Sequence, residues 1–321
     1  MKAMILAAGL GTRLRPLTFE RAKPAIPLLG KPIVIRLMEK LMRDGITDFR
    51  LNLHHLPRSI EEIFESGTPT GASISFSYEP KILGTAGGLK ANEAFFDQGT
   101  LLMANGDIVA DFSLREAVAF HQEREALATL ILYPQTPPYR HTAIRIDDMG
   151  RLRQFKGNRP GGPLGGDTYV FTGIHVLEPE IFSFMPSGSF HEINDQVYPE
   201  ALKRGRTVLG FPVAGYWNDI GDPWRYLQAQ KDLLSRSESA SISMIGSGSQ
   251  LAPSARLGQF VSAGSGFVMG RDSYAENAIF WDDVRVGSGS RVLNCIVGSG
   301  MSLEGQYSNK IVTRNGEAPI A

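Results

Sequence analysis

Apolar runs alternate with helical apolar stripes through the first two thirds of the chain, and a six-residue beat replaces them near the end. Residues 3–8 form an apolar strand that runs into a glycine turn. Residues 32–44 carry Ile33, Leu37, Leu41 and Met42 at helical spacing and stop at Gly45, the pattern of a helix with a glycine terminator. Residues 48–53 and 73–78 read as strands, with a short helix over 59–65 capped by Ser59 between them. Residues 101–104 are a short buried strand, 114–123 a helix and 126–132 a continuous apolar strand. This βαβα rhythm predicts a mostly parallel sheet covered by helices on both faces. Between 143 and 176 the apolar runs shorten and Gly-Gly pairs appear, which predicts inserted hairpins. Helices return at 179–184, 194–203 and 223–234.

Residues 235–248 are rich in serine and read as a linker. Beyond them Leu251, Leu257, Ala263, Met269, Ala275 and Trp281 recur six apart, with Ala255, Val261, Phe267, Ser273 and Ile279 four residues after each lead position. The phase slips by one near Arg285 and resumes at Val286 and Val292. A hexapeptide period with small or apolar inward positions predicts a parallel β-helix of roughly three coils. The expected division is a domain over 1–235, a linker over 236–250 and the β-helix over 251–321.

Composition narrows the field. Lys+Arg and Asp+Glu are equal at 33 each, so no global charge favours nucleic acid or an anionic membrane as a partner. Cys295 is the single cysteine, which excludes an intrachain disulfide and fits a reducing compartment. It is expected to be a small core residue rather than a nucleophile. The opening Met-Lys-Ala-Met-Ile-Leu meets glycine and arginine too soon for a signal peptide, and no apolar run has the length of a membrane span. A cytoplasmic, soluble protein is expected. His54 and His55 are adjacent on a strand, face opposite ways and cannot chelate together.

The chemistry concentrates in three places. The first is Leu6-Ala7-Ala8-Gly9-Leu10-Gly11-Thr12-Arg13-Leu14, with Lys23-Pro24 downstream. Glycines after an apolar strand let the backbone approach a polyphosphate, exposed N–H groups make an anion-binding concavity, and Arg13 adds a planar cationic fork. The spacing is neither a P-loop nor a dinucleotide fingerprint. Two acidic positions follow: Asp107, in Ala104-Asn105-Gly106-Asp107 after a buried strand, and Asp219, in Trp217-Asn218-Asp219-Ile220-Gly221-Asp222-Pro223 before a helix. Each is a good turn or helix-cap residue by itself. Single aspartates on separate loops also suit Mg²⁺, which takes one or two carboxylates and completes its shell with substrate phosphates.

Taken together, L-A-A-G-x-G-T-R-L and the downstream K-P resemble the signature of the sugar-nucleotide pyrophosphorylases, the nucleotidyltransferases that make NDP-sugars. The resemblance covers essentially the whole chain. Its C-terminal segment from Phe280 to Gly287 is similar to that of mannose-1-phosphate guanylyltransferases. It implies an α/β fold with a Rossmann-like doubly wound mixed sheet (nucleotidyltransferase type A), followed by a short left-handed parallel β-helix. It also implies Mg²⁺ held by Asp107 and Asp219, catalytic roles for Arg13, Lys23, Asp107 and Asp219, and a nucleotide site including Leu6, Ala7, Ala8, Gly9, Gly11, Thr12 and Arg13. The substrates implied are a nucleoside triphosphate and a sugar-1-phosphate, and the β-helix implies self-association into a homo-oligomer.

For the base, Tyr78-Glu79-Pro80-Lys81-Ile82-Leu83-Gly84-Thr85-Ala86-Gly87-Gly88 resembles the base-binding loop of guanylyl-transferring members, with Gly84, Thr85 and Gly87 lining the nucleotide. A carboxylate such as Glu79 can accept both the N1–H and N2–H donors of guanine, though Glu79 is equally placed to be an exposed strand-end residue. On the sugar side, Gly173 matches a family glycine, and Thr142 and Ala143 stand where a tyrosine–glycine or similar pair often lies. The chain departs from the family's E-K-P triplet: the segment reads Gln154-Phe155-Lys156-Gly157, so the glutamate is missing and Lys156 is the residue the resemblance leaves for the sugar-phosphate role. The expected reaction is guanylyl transfer to mannose-1-phosphate. The alternatives are uridylyl transfer to glucose-1-phosphate or N-acetylmuramate-1-phosphate, and a non-catalytic regulatory subunit that binds NDP-sugar. An acyltransferase role for the β-helix is rejected, because that segment holds no histidine to act as a base.

Overall fold

The computed structural model describes residues 1–65, 67–96, 99–135, 142–155, 167–236 and 243–320. The chain forms two compact units. One comprises Met1–Gly9, Leu37–Pro57 and Phe64–Asn218, and the other Leu10–Arg36, Arg58–Ile63 and Asp219–Ala321.

The first unit is built on a seven-stranded sheet. Its strands are β1 (Lys2–Leu6), β2 (Asp48–Leu53), β3 (Ser73–Tyr78), β4 (Leu101–Asn105), β5 (Ala128–Pro134), β6 (Tyr169–Leu177) and β7 (Val208–Pro212), in the spatial order β7-β5-β6-β4-β1-β2-β3. Neighbours are parallel except β6, which runs antiparallel to β4 and β5. In the central strands Ala3, Met4, Ile5, Leu102, Met103 and Ala104 are wholly buried, as continuous apolar runs in a two-sided sheet must be. Around Met103, Leu130 and Leu177 the core takes in Phe96, Phe182 and Tyr198. Leu6 pairs with Asn52 on one side and Asn105 on the other, so three parallel strands end level and their loops leave from one edge. That edge is where sheets of this kind bind ligands.

The predicted strands at 48–53 and 73–78 match β2 and β3, and the predicted helix at 32–44 is α1 (Ile33–Arg43). Several local expectations differ. Ser59 does not cap its helix: it lies inside α2 (Arg58–Glu65), and its hydroxyl accepts from Ala22 N at 2.9 Å. The Gly84 segment is a helix, α3 (Gly84–Lys90), rather than a loop. The inserted region does contain a hairpin, Arg145–Ile146 with Leu152–Gln154, but Val176 belongs to the nine-residue β6 of the main sheet. This unit also has the α-helices α4 (Arg115–Glu123) and α5 (Tyr198–Lys203); the predicted helix at 179–184 is a 3₁₀ helix, and that at 194–203 begins as a π-helix, Ile193–Val197, before α5.

The second unit joins the Leu10–Arg36 segment, helix α6 (Pro223–Ser235) and a parallel β-helix. Stacking begins at Ser243, which pairs with Val261, so the stretch expected as linker already supplies a strand. Gln250 pairs with Val268, Val268 with Arg285, and Arg291 with Gln306, giving coils of eighteen, seventeen and then fifteen residues. Arg256 reaches Tyr274 after eighteen residues, but Val261 reaches Ala278 after seventeen. The slip therefore lies between Tyr274 and Ala278, at the left-handed corner residue Asn277, and not near Arg285. There Asn277, Asn294 and Asn309 stack through side-chain amide bonds of 3.0 and 2.6 Å. The slip has a consequence for Trp281. Ala263 stacks on Phe280, so Phe280 takes the inward place and Trp281 turns outward. Cys295 is fully buried in the coil core, as expected, and burial raises its thiol pKa. No helix among the described residues is long and apolar enough to cross a membrane.

Candidate active site

In the sheet unit, Ala7, Ala8 and Gly9 follow β1, while Gly106 and Asp107 follow the adjacent β4. The two loops are tied by Gly106 N donating to Leu6 O at 2.9 Å. The sheet edge thus holds the start of the glycine loop and the Asp107 turn side by side, as the sequence implied. Ala7 N donates to Asn52 Oδ1 at 2.9 Å, Asn52 Nδ2 donates to Glu79 Oε1 at 2.7 Å, and Leu83 N donates to Glu79 Oε2 at 2.9 Å.

Glu79 therefore corrects an expectation. It is only 4% exposed, and each carboxylate oxygen accepts a bond from within the protein. Rather than facing a guanine edge, it fastens the start of α3 to the end of β1 through Asn52. Asn52 is not legible in the sequence, because nothing local marks an asparagine in β2 as the partner of a backbone N–H after one strand and a carboxylate after another.

The glycines of α3 have packing reasons of their own. A Cβ on Gly87 would stand 2.6 Å from Ser189 O, and one on Gly88 2.6 Å from Glu79 Oε1. Thr85 Oγ1 donates to Glu192 Oε2 at 2.7 Å and accepts from Ile193 N at 2.9 Å. Ala86 N and Gly87 N both donate to His191 O. Gly84, which opens α3, packs against His191 O in the same way. Residues 189–193 are thus the unforeseen support of this segment.

On β6, Gly173 sits in a register shift opposite β5, and a Cβ there would stand 2.8 Å from Asn105 Nδ2. Beside it Trp217 Nε1 donates to Thr172 O at 2.9 Å and its ring packs against Tyr133. Thr142 is exposed and Ala143 half-buried, just before Ile144 bridges to Tyr169. Lys156 lies outside the described residues.

In the other unit, Gly11 adopts φ 62°, and a Cβ there would collide with Thr18 Cγ2 at 2.7 Å, so only glycine fits this turn. Thr18 Oγ1 donates to Gly11 O at 2.9 Å, folding the loop back on itself. Thr12 and Arg13 are exposed on a single 3₁₀ turn, and Lys23 is half-buried at the start of another, Lys23–Ala25.

Asp219 precedes α6, whose N-cap Asp222 accepts from Arg225 N at 2.9 Å. Arg225 Nη1 reaches both Asp219 oxygens, at 2.5 and 2.6 Å. Around Gly221, Arg225 Nη1, Asp219 Oδ2 and Arg13 Nη1 all lie within 3.3 Å of where a Cβ would be. The absence of a side chain at Gly221 is what lets two guanidinium groups and a carboxylate converge. Arg225 was not anticipated from the sequence, where it reads as an ordinary residue in the first turn of α6. No group of three or more potential metal ligands occurs among the described residues, but the oxygen-only donors Asp107 and Asp219 are of the kind magnesium takes.

A profile of the nucleotidyl transferase family matches residues 2–236, and the chain belongs to that family. Over 249 residues it is 36% identical to UTP–glucose-1-phosphate uridylyltransferase of Synechocystis sp., covering 74% of this chain and 64% of that protein. It is 28% identical over 296 residues to mannose-1-phosphate guanylyltransferase of Mycobacterium tuberculosis, covering 89% of this chain and 81% of that protein. The structure of HddC from Yersinia pseudotuberculosis complexed with GMP-PN shares the fold, with TM-score 0.61 at 23% identity over 72% of this chain and 99% of that chain.

Proposed function

We propose that this chain is a sugar-1-phosphate nucleotidyltransferase that forms an NDP-sugar and pyrophosphate, with GTP and mannose-1-phosphate as the first pair. The observation that carries the reading is the glycine turn at Gly11 with Arg13 beside it, in a chain of the nucleotidyl transferase family. The sugar-phosphate oxygen is already anionic at neutral pH, so the reaction needs alignment of two polyanions and charge stabilisation more than a base. In this reading Leu6, Ala7, Ala8, Gly9, Gly11 and Thr12 border the nucleotide, and the side chain of Arg13 grips its β and γ phosphates. Lys23 meets the α-phosphate or the sugar phosphate. Gly84, Thr85 and Gly87 border the nucleotide, while Gly173, Thr142, Ala143 and Lys156 border the sugar phosphate.

Asp107 and Asp219 are proposed as the carboxylates for Mg²⁺, which when bound would neutralise phosphate charge. Arg225, which reaches both Asp219 oxygens, shares that carboxylate with the metal in this reading. Residues 1–235 are proposed as the catalytic portion. The β-helix of 251–321, extended upstream to Ser243, is proposed to mediate self-association of a soluble cytoplasmic enzyme. With Glu79 engaged internally, the preference for guanine rests on the M. tuberculosis guanylyltransferase, whose match extends over 296 residues. The second reading is uridylyl transfer to glucose-1-phosphate, favoured by the 36% identity to the Synechocystis enzyme.

Pyrophosphate release from GTP, UTP, dTTP, ATP and CTP, each paired with mannose-1-phosphate, glucose-1-phosphate and N-acetylmuramate-1-phosphate, tests both. Release with GTP and mannose-1-phosphate above all other pairs is expected, and release with UTP and glucose-1-phosphate instead establishes the second reading. Silence across all pairs from protein that still binds an NDP-sugar sinks both in favour of a sensor.

A further inference from the structure

Lys23 does not stand on a free loop. The segment that leads to it is held by a ladder of residues on one corner of the β-helix. Ala263, Phe280, Val297 and Val312 stack in successive coils, so Ser265, Asp282, Ser299 and Arg314 occupy the same corner, one above another. Glu20 and Arg21 lie along that corner. Glu20 accepts from Ser299 N and from Arg314 N, each at 3.3 Å. Arg21 Nη2 donates to Asp282 Oδ2 at 3.0 Å and to Ser299 Oγ at 3.1 Å, and its guanidinium lies 5.2 Å from the Trp281 ring centroid.

The coil is shaped to receive them. A Cβ on Gly298 would stand 2.7 Å from Glu20 Oε1, so a glycine keeps that place open. Asp282 is fixed from its other side, with Oδ1 accepting from Ser265 N at 3.1 Å in the coil below.

The far side of Lys23 is tied as well. Tyr226 of α6 donates its hydroxyl hydrogen to Pro27 O and accepts from Trp281 Nε1 at 3.0 Å. Leu29 N donates to Gln230 Oε1 at 3.1 Å. Lys23 thus sits between two anchor points that both trace to the β-helix, one directly and one through α6. The outward turn of Trp281, set by the one-residue slip at Asn277, makes the second anchor possible.

We propose that the β-helix corner of Asp282, Ser299 and Arg314, with Trp281 beside it, acts as a positioning element for Lys23, with Glu20 and Arg21 as the positioning residues. The inference rests on the reading that Lys23 serves the transferred phosphate. It gives the β-helix a task inside each protomer, separate from self-association. Charge-assisted bonds to a rigid stack restrict the segment more than water contacts would, and misplacement of a phosphate-binding group by an ångström is enough to cost about a hundredfold in rate.

The test uses the full chain with Arg21→Ala, Arg21→Lys and Gly298→Ala, the last displacing Glu20 while leaving Arg21 and Asp282 intact. Each variant is read by steady-state kinetics, thermal midpoint, and hydrogen exchange of peptides covering 20–29. Arg21→Ala and Gly298→Ala are expected to raise exchange in that segment. They should also lower kcat about tenfold while KM for the nucleotide moves less than about threefold. Arg21→Lys, which keeps the charge opposite Asp282, is expected to recover most of kcat. Unchanged exchange, or faster exchange with unchanged kcat, overturns the proposal. So does a kcat loss that merely follows a falling melting temperature with no rescue by lysine. If the parent protein turns over no substrate pair, it is the transferase reading that fails. The exchange measurement then still decides whether the corner holds the segment.

Discussion

Replacing Glu79 separates two uses of one carboxylate. If it reads guanine, Glu79→Gln changes which nucleotide is used and leaves the fold alone. If it is the internal tie seen here, the opposite follows. Both oxygens accept bonds, from Asn52 Nδ2 and Leu83 N, at a site 4% exposed. A glutamine offers one acceptor and one donor group, so one of those partners faces an N–H. Flipping Asn52 moves the mismatch without removing it, since Asn52 Oδ1 is then lost to Ala7 N. A buried donor left without a partner costs about 1–3 kcal/mol, so Glu79→Gln should destabilise by about 2 kcal/mol. Glu79→Ala, which orphans two donors, should cost about 3–4 kcal/mol. Urea unfolding followed by tryptophan fluorescence should show the glutamine variant's midpoint lowered by roughly 0.5–1 M with the slope unchanged. Because the tie reaches Ala7, kcat/KM should fall for every nucleoside triphosphate alike. A tenfold change in the GTP:UTP ratio with an unshifted midpoint would refute the internal role.

Asp107→Asn should lower turnover by about a thousandfold with the circular dichroism spectrum intact, and substantial magnesium-dependent turnover would remove Asp107 from the metal site. His175 is wholly buried beside the Tyr198 hydroxyl, and burial lowers its pKa from 6.5 to about 3. It stays neutral in the fold while an unfolded histidine takes a proton below pH 6.5. Stability from this group is therefore complete at neutral pH and declines by about 2 kcal/mol between pH 7.5 and 5. The lowered pKa of buried His121 acts in the same direction, and urea midpoints flat across that range would contradict both. Cys295 should ignore Ellman's reagent in the native protein and react once unfolded, since its side chain is buried and its thiol pKa raised. A chain ending at Arg236 loses the β-helix partners of Glu20 and Arg21 and the Trp281 donor to Tyr226, and should melt more than about 5 °C lower, whatever its oligomeric state.

Elements whose cause is local were legible in the chain. The strands at 48–53 and 73–78 and helix α1 follow from apolar period and a terminating glycine, and the six-residue beat identified the coils. What is not legible in the chain depends on partners distant in sequence. The Gly84 segment reads as a loop because its glycines suppress helix propensity, yet they let α3 pack against Ser189 and Glu79. Trp281 falls on the lead position of the hexad by counting, but the residue dropped between Tyr274 and Ala278 turns it outward. Arg225 and Asn52 carry no local mark of their roles. Each gains meaning only where the fold brings it to Asp219 or to Ala7 and Glu79.

The most direct measurement follows two labels through one reaction, with magnesium and the substrate pair that releases pyrophosphate. Transfer by attack on the α-phosphorus predicts that an α-³²P label appears in a phosphatase-resistant nucleotide sugar while a γ-³²P label leaves as pyrophosphate. A γ label recovered as inorganic phosphate, or an α label that never joins the sugar, would contradict the assignment.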